Sequence, residues 1–201
     1  MQIRPEEESA SRIYSLMIRA IAPRPIAWVS TISDDGMPNL APFSYFNGVC
    51  SDPAALVFSV VNHVDGRKKD TARNIESNGQ FVVNTVPFEL REQMVRCAGD
   101  YEYEQDEFEI ANVPTEPSVA VRPPRVRQAP VKFECELMQI VNIGEGPLAA
   151  NLVIGRILLI DVSDDILDEN GKIDPARSDL IGRMGGRSYA TTRDRFDIKL
   201  D

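Results

Sequence analysis

The chain has 201 residues, 43% of them hydrophobic, enough to bury a full core, and residues 1–201 are expected to form a single domain. Its net charge of -9 disfavours nucleic acid and anionic membranes as partners, because the mean field repels both. No apolar run approaches the roughly 20 residues of a membrane span, the opening MQIRPEEES is too acidic for a signal peptide, and a cytoplasmic protein is expected.

In chain order, Pro25 to Ser33 is β-branched and apolar and predicts a strand. The Asp34-Asp35-Gly36 turn should return Pro38 to Tyr45 antiparallel to it. Ala55 to Val61 predicts a buried strand. Asp70 is expected to cap a helix that carries Ala72 and Ile75 on one face and ends near Asn78-Gly79. Phe81 to Val86 predicts a further strand, and Leu90, Met94, Cys97 and Ala98 recur at helical spacing within Phe88 to Ala98. Gly99 to Pro130 is acidic and then proline-rich, and a stretch this long with little periodicity is either mobile or tied to a partner surface. Val131 to Ile143 alternates, with Val131, Phe133, Cys135, Leu137, Val141 and Ile143 on one side and Lys132, Glu134 and Glu136 on the solvent side. Asn151 to Val162 is its natural antiparallel neighbour, with Gly155 as a candidate bulge. This order predicts a mainly β fold with short helices, closed or nearly closed as an antiparallel barrel.

Residue counts narrow the chemistry. Cys50, Cys97 and Cys135 lack a C-x-x-C pair and read as reduced core residues. The lone histidine, His63, cannot supply a metal site needing two imidazoles, and it reads more readily as a surface group than as a catalyst. Neither G-x-G-x-x-G nor a Walker loop occurs, so a nucleotide must be held another way. Arg67, Lys68 and Lys69 stand directly before the helix of Asp70 and Thr71. Side-chain cations, free N–H groups and a hydroxyl can therefore converge on one anion there, although a solvated basic loop has the same composition.

The segments PRPIAWVST (Pro23 to Thr31), NLAPFSYFN (Asn39 to Asn47), RKKDTARNI (Arg67 to Ile75), FVVN (Phe81 to Asn84) and IGRMGGRSYA (Ile181 to Ala190) together resemble the flavin reductase-like family of FMN-binding split barrels. The resemblance runs from about Tyr14 to Phe196. It is closer to the flavoredoxin and nitrilotriacetate-monooxygenase component B type than to the shorter reductases marked by G-D-S-H, whose nicotinamide-binding histidine has no counterpart here.

The resemblance implies an antiparallel, Greek-key split barrel and a homodimer with FMN at the interface. It implies cofactor contacts from Ala41, Pro42, Phe43, Ser44 and Asn47 around the ring, and from Trp28, Ser30 and Thr31 near the ribityl chain. Arg67, Lys68, Asp70 and Thr71 match the phosphate side, and Arg24 and Tyr189 are weaker candidates. At least one of Phe43, Tyr45 and Phe46 should pack in the core, because strand side chains alternate. The implied activity is NAD(P)H-dependent reduction of FMN, with NADH or NADPH as donor and a monooxygenase as a candidate recipient of the reduced flavin. The alternatives are a flavoredoxin-like carrier docking a redox protein through the acidic segment Tyr101 to Glu109, and a split-barrel enzyme acting on an organic substrate.

Overall fold

The computed structural model describes residues 1–103 and 105–199. The chain opens with helix α1 (Ala10–Ala20), whose N-cap Ser9 accepts a hydrogen bond from the Arg12 N–H. No expected element covers this helix. Its apolar residues form no single buried stripe: Ile18 is buried, whereas Tyr14, Met17 and the following Ile21 are exposed.

Strands β1 (Ala27–Ile32) and β2 (Pro38–Phe43) form the expected hairpin, with Ile32 opposite Pro38 and Gly36 at φ 89° in the turn. Then come β3 (Phe46–Ser51), β4 (Ala54–Val61), α2 (Asp70–Asn78) and β5 (Gln80–Asn84). After a 3-10 turn, α3 (Arg91–Arg96) buries Leu90, Met94 and Cys97 as expected, while Ala98 is exposed. The remaining elements are α4 (Glu107–Ile110), β6 (Thr115–Glu116), β7 (Arg125–Val126), β8 (Val131–Ile143), β9 (Ala150–Val162), α5 (Pro175–Ser178), β10 (Ile181–Arg183) and β11 (Tyr189–Thr191).

Seven antiparallel strands form one sheet in the order β2-β1-β5-β8-β9-β4-β3. The edge strands β2 and β3 are joined only by Ser44 and Tyr45, so the sheet must curl until its edges meet. The expected strand to Tyr45 therefore stops at Phe43 and restarts on the opposite edge. Inside the curl Phe43, Phe58 and Phe81 pack in a row, with ring centroids 5.5 and 5.4 Å apart. Gly155 marks one of two register shifts: it pairs with Leu137 while Ile154 pairs with Gln139, so the extra residue lies opposite it on β8, and a Cβ at Gly155 would drive into the Phe81 ring.

A second cluster lies outside the barrel wall, where Trp28 and Leu40 meet Met94, Cys97, Phe108, Ala111 and Val126. The described part of the segment from Gly99 to Pro130 is thus tied to its own barrel through Phe108, Ala111, Val113, Val126 and Ala129. This corrects the expected solvent face of β8, since Lys132 and Glu134 are buried beneath it. The fully buried Glu134 carboxylate accepts the N–H groups of Val119, at 3.0 Å, and Ala120, and pairs with Arg125 at 3.3 Å. Lys132 reaches Glu116 at 3.1 Å and Asp161 at 2.8 Å. The Lys132 ammonium holds the Asp161 carboxyl below the usual carboxylate range. Of the cysteines, Cys97 and Cys135 are core residues, but Cys50 is exposed on the edge strand β3.

Removing one member of such a network strands the others in low dielectric. Glu134→Ala should cost about 3–5 kcal/mol. Proteolysis should then cut first between Gly99 and Pro130, a pattern to be read by mass spectrometry alongside urea denaturation. Unaltered cleavage in that segment would show that the apolar contacts alone hold it.

Candidate functional site

The curl of the sheet sets the C-terminal half of β2 beside the loop that joins β4 to α2. A cavity of about 170 Å³ opens between them, lined by Asn39, Ala41, Pro42 and Phe43 of β2, by Lys69, Asp70 and Thr71 at the start of α2, and by Cys97, Gly99, Asp100, Tyr101 and Glu107 from the overlying segment. A second cavity of about 440 Å³ is lined by Arg67, Lys68 and Arg73 together with Asp100, Tyr101, Glu102 and Tyr103. His63, Asp70, Asp100 and Tyr101 border both, so the two form one groove, whose β2 end has the apolar wall Ala41–Pro42–Phe43 in an otherwise polar lining and whose loop end holds the cations Arg67, Lys68 and Arg73 interleaved with Asp100 and Glu102.

Each end has a local cause. At the β2 end, Phe43 faces the barrel core while Ala41 and Pro42 stay half-buried along the wall. At the loop end, α2 starts after Lys69, which occupies the N-cap position without a side-chain cap bond; Asp70 is the first helical residue, not the expected cap. Burial pushes the Asp70 carboxyl above the usual carboxylate range, against the lowering effect of Arg73. Arg67 pairs with Asp65 at 2.6 Å, Lys68 pairs with Glu76, and Arg73 lies 3.9 Å over the Tyr103 ring. The floor is polar and ordered: Asn39 Nδ2 donates to Thr31 Oγ1 and Thr71 Oγ1, Asn74 Nδ2 donates to Thr31 Oγ1, and the Tyr103 hydroxyl donates to Asn74 Oδ1. His63, expected on the surface, sits where the ends join, its Nδ1 3.2 Å from an Asp100 carboxylate oxygen.

Ala41, Pro42, Phe43, Arg67, Lys68, Asp70 and Thr71 therefore share one groove. Other expected residues stand elsewhere. Trp28, Ser30 and Thr31 are fully buried and offer no surface to a ligand: Trp28 packs in the outer cluster, the Ser30 hydroxyl donates to the Pro124 carbonyl, and Thr31 serves the floor network. Arg24 is also buried. Its guanidinium donates to the carbonyls of Ile18, Ile21 and Met184 and to Ser44 Oγ, fastening the end of α1 and the C-terminal tail to the β2–β3 connection. Asn47 is exposed on β3, and Tyr189 stacks on Arg183 in a separate cleft with Phe88, Val95 and Ile181. Of the three aromatics after Leu40, Phe43 and Phe46 pack into the barrel cluster and Tyr45 lies half-buried against Arg24.

Lys69, read from the sequence as one of three cations before α2, lines the groove, whereas sequence reasoning missed Arg73, Asp100 and Glu107. A helical turn apart from Lys69, Arg73 was recognisable as a fourth cation; the others come from the overlying segment, whose path no periodicity reveals. Glu107 is distinctive. The residue is 6% exposed, its Oε2 accepts the Leu40 N–H at 2.9 Å, and burial pushes its pKa from 4.5 up to about 7.

The family model described as flavin reductase like domain matches residues 18–177. A protein of Aquifex aeolicus (strain VF5) is 40% identical over 195 residues, 97% of each chain. Nitrilotriacetate monooxygenase component B from Bacillus cereus superposes with a TM-score of 0.93 at 29% identity, covering 98% of both chains. The 2-nitrobenzoate 2-nitroreductase NbaA of Pseudomonas fluorescens superposes at 0.90 with 30% identity, covering all of this chain and 96% of its own. The chain belongs to the flavin reductase-like family of split-barrel flavin oxidoreductases. No helix among the described residues is long and apolar enough to cross a membrane.

The buried carboxyl gives a stability test. A folded-state pKa of about 7 against 4.5 means that the folded protein binds this proton more tightly than the unfolded chain does. Its contribution is complete below about 4.5 and is lost as pH rises through about 7, amounting to about 3 kcal/mol as an upper figure. Glu107→Gln should remove that loss, so the variant should gain stability over the parent at alkaline pH and differ little in mild acid. Equal urea midpoints for both proteins at the two pH values would assign Glu107 an ordinary carboxyl.

Proposed function

We propose that the protein is an NAD(P)H-dependent FMN reductase that acts as a homodimer and passes reduced flavin to a monooxygenase. The observation that carries this reading is the single groove that joins the Ala41–Pro42–Phe43 wall, with Lys69 beside it, to the end that holds Arg67, Lys68 and Arg73. A mononucleotide with a planar ring and a charged phosphate fits that donor set, the phosphate competing with Asp65 and Glu76 for Arg67 and Lys68.

In this reading Pro42 bears against the ring, and Ser44, whose oxygen already accepts from Arg24 Nε at 3.3 Å, keeps its O–H to donate at the ring edge. The unpaired N–H groups in the first turn of α2 and the side chains of Lys68 and Arg67 hold the phosphate. Both cations must leave exposed carboxylate partners to do so, at a cost of about 0.2–1 kcal/mol each. Bound FMN supplies the hydride-accepting chemistry, so the protein needs no metal or triad. The exposed Met17 and Ile21 beside α1, and Leu158 and Ile160 on β9, support the second copy as apolar surface for it to cover.

Three measurements test the proposal. Mixed anaerobically with FMN and NADH or NADPH, the protein should bleach the flavin absorbance promptly; lasting colour would favour the flavoredoxin-like carrier. Arg67→Ala or Lys68→Ala should weaken FMN by about tenfold, the worth of one charge-assisted bond, and leave riboflavin almost unchanged. Equal losses for both flavins would mean a disturbed fold instead of a lost phosphate contact. Light scattering should find twice the chain mass, and a monomer at micromolar concentration would count against a shared site.

A further inference from the structure

Glu107 has more than its structural role requires. The Leu40 N–H needs only an acceptor, which a glutamine would supply without the cost of burying an ionisable group. The carboxyl lines the β2 end of the groove, pinned to the same strand that presents Ala41, Pro42 and Phe43. The charged and titratable groups around that end are mostly acids or neutral. They are Asp70 at the start of α2 with Lys69 before it, His63 from the β4–α2 loop, Asp100 and Tyr101 from the overlying segment, Cys97 after α3, and Asp106 and Glu109 on its own turn. The strand β2 contributes Asn39 but no charge. Among the described residues no ion pair joins Glu107 to a cation. Such surroundings favour the neutral acid, which is a hydrogen-bond donor.

We propose that Glu107, in its protonated form, is a ligand-binding residue whose O–H donates to a carbonyl oxygen on the edge of the heterocycle held against Ala41–Phe43. This rests on the flavin reading given above. The shift of the carboxyl to about 7 by burial fits the proposal, because the donor is then present in mild acid and gives way to a carboxylate just above neutrality. With Oε2 held by the Leu40 N–H, an ionised Glu107 would turn its other oxygen, an acceptor, toward a carbonyl, and the ring would bind less tightly. Ring affinity is therefore set by proton occupancy at a residue remote from the phosphate end.

Riboflavin is the probe of choice, since it lacks the phosphate and so removes both phosphate ionisation and the loop end from the pH dependence. Its affinity for the intact protein, read by fluorescence quenching, should fall by roughly tenfold between mild acid and mild alkali, the effect of losing one hydrogen bond to a buried group. Glu107→Gln keeps a donor that cannot ionise, and its affinity should be flat with pH and near the parent's acid value. A flat parent profile, or a variant as pH-dependent as the parent, would overturn the role of Glu107 while leaving the flavin site standing. Failure of the parent to bind either riboflavin or FMN at any pH would overturn the flavin reading itself, and this inference with it. Should the variant not fold, infrared difference spectra of the parent decide the matter: riboflavin added in mild acid should shift a protonated-carboxyl C=O band, and an unmoved band would reject the proposal.

Discussion

Two residues fix the shape of this molecule. Ser44 and Tyr45 are all that separates β2 from β3, yet those strands are the opposite edges of a seven-stranded sheet. A flat or openly twisted sheet of that width would hold its edges several strand spacings apart, at about 4.8 Å each, which two residues cannot span. Closure follows from connectivity, and the interior must then be filled. Phe43, Phe58 and Phe81, from three different strands, fill it, and the absence of a Cβ at Gly155 leaves room for the Phe81 ring. From outside, the Arg24 guanidinium binds Ser44 at the connection itself while anchoring the end of α1. The residue that looked like a ligand contact instead holds the seam.

The groove is a consequence of that closure together with one buried electrostatic network. Curling the sheet carries the end of β2 to the loop after β4, which brings an apolar wall and a run of cations within one cleft. The roof of the cleft, Gly99 to Tyr103, belongs to a segment with little regular structure, and order there must come from elsewhere. Phe108, Val113 and Val126 supply apolar anchorage, while Glu134, Arg125, Lys132, Glu116 and Asp161 supply directional bonds at its far part. Buried charges of this kind contribute less net stability than specificity of path: an apolar strip could slide, but a carboxylate accepting two adjacent N–H groups cannot.

Local signals made much of this readable in the sequence. The β1–β2 hairpin showed in its turn residues, α2 in the Asn78-Gly79 stop where Gly79 takes φ 71°, and the β8–β9 pair in its alternation. Where the reading failed, a tertiary contact overrode a local rule. Lys132 and Glu134 have the spacing of a solvent face and are buried because a distant segment covers them. Asp70 has the identity of a cap, but the helix begins one residue earlier than that role requires, and its carboxylate turns to Arg73. Within the site, the wall and the basic loop were legible as motifs, since residue identity there states the chemistry. Trp28, Ser30 and Thr31 were not separable from them, because a strand that carries a motif has two faces and only the closed barrel decides which is sealed. Glu107 carried no signal at all: its meaning lies in the Leu40 N–H, 67 residues away in sequence.

The two ends of the groove differ in rigidity, and that difference bears on whether the flavin leaves. At the ring end the wall is sheet backbone, the floor network of Asn39, Thr31, Thr71 and Asn74 is buried, and Glu107 is fixed to Leu40. A ligand entering there meets a surface that needs no ordering, so little conformational entropy is lost on binding. At the end that holds Arg67 and Lys68 these side chains are engaged with the nearby carboxylates Asp65 and Glu76, and on the proposed reading they return to those partners when a phosphate departs. Such exchange lowers the free-energy difference between loaded and empty states, because neither state strands an unpaired charge. A carrier that must retain its cofactor would gain from buried, single-purpose cations instead. On the proposed reading the exposed, twice-partnered cations therefore favour a flavin that binds, is reduced and is passed on.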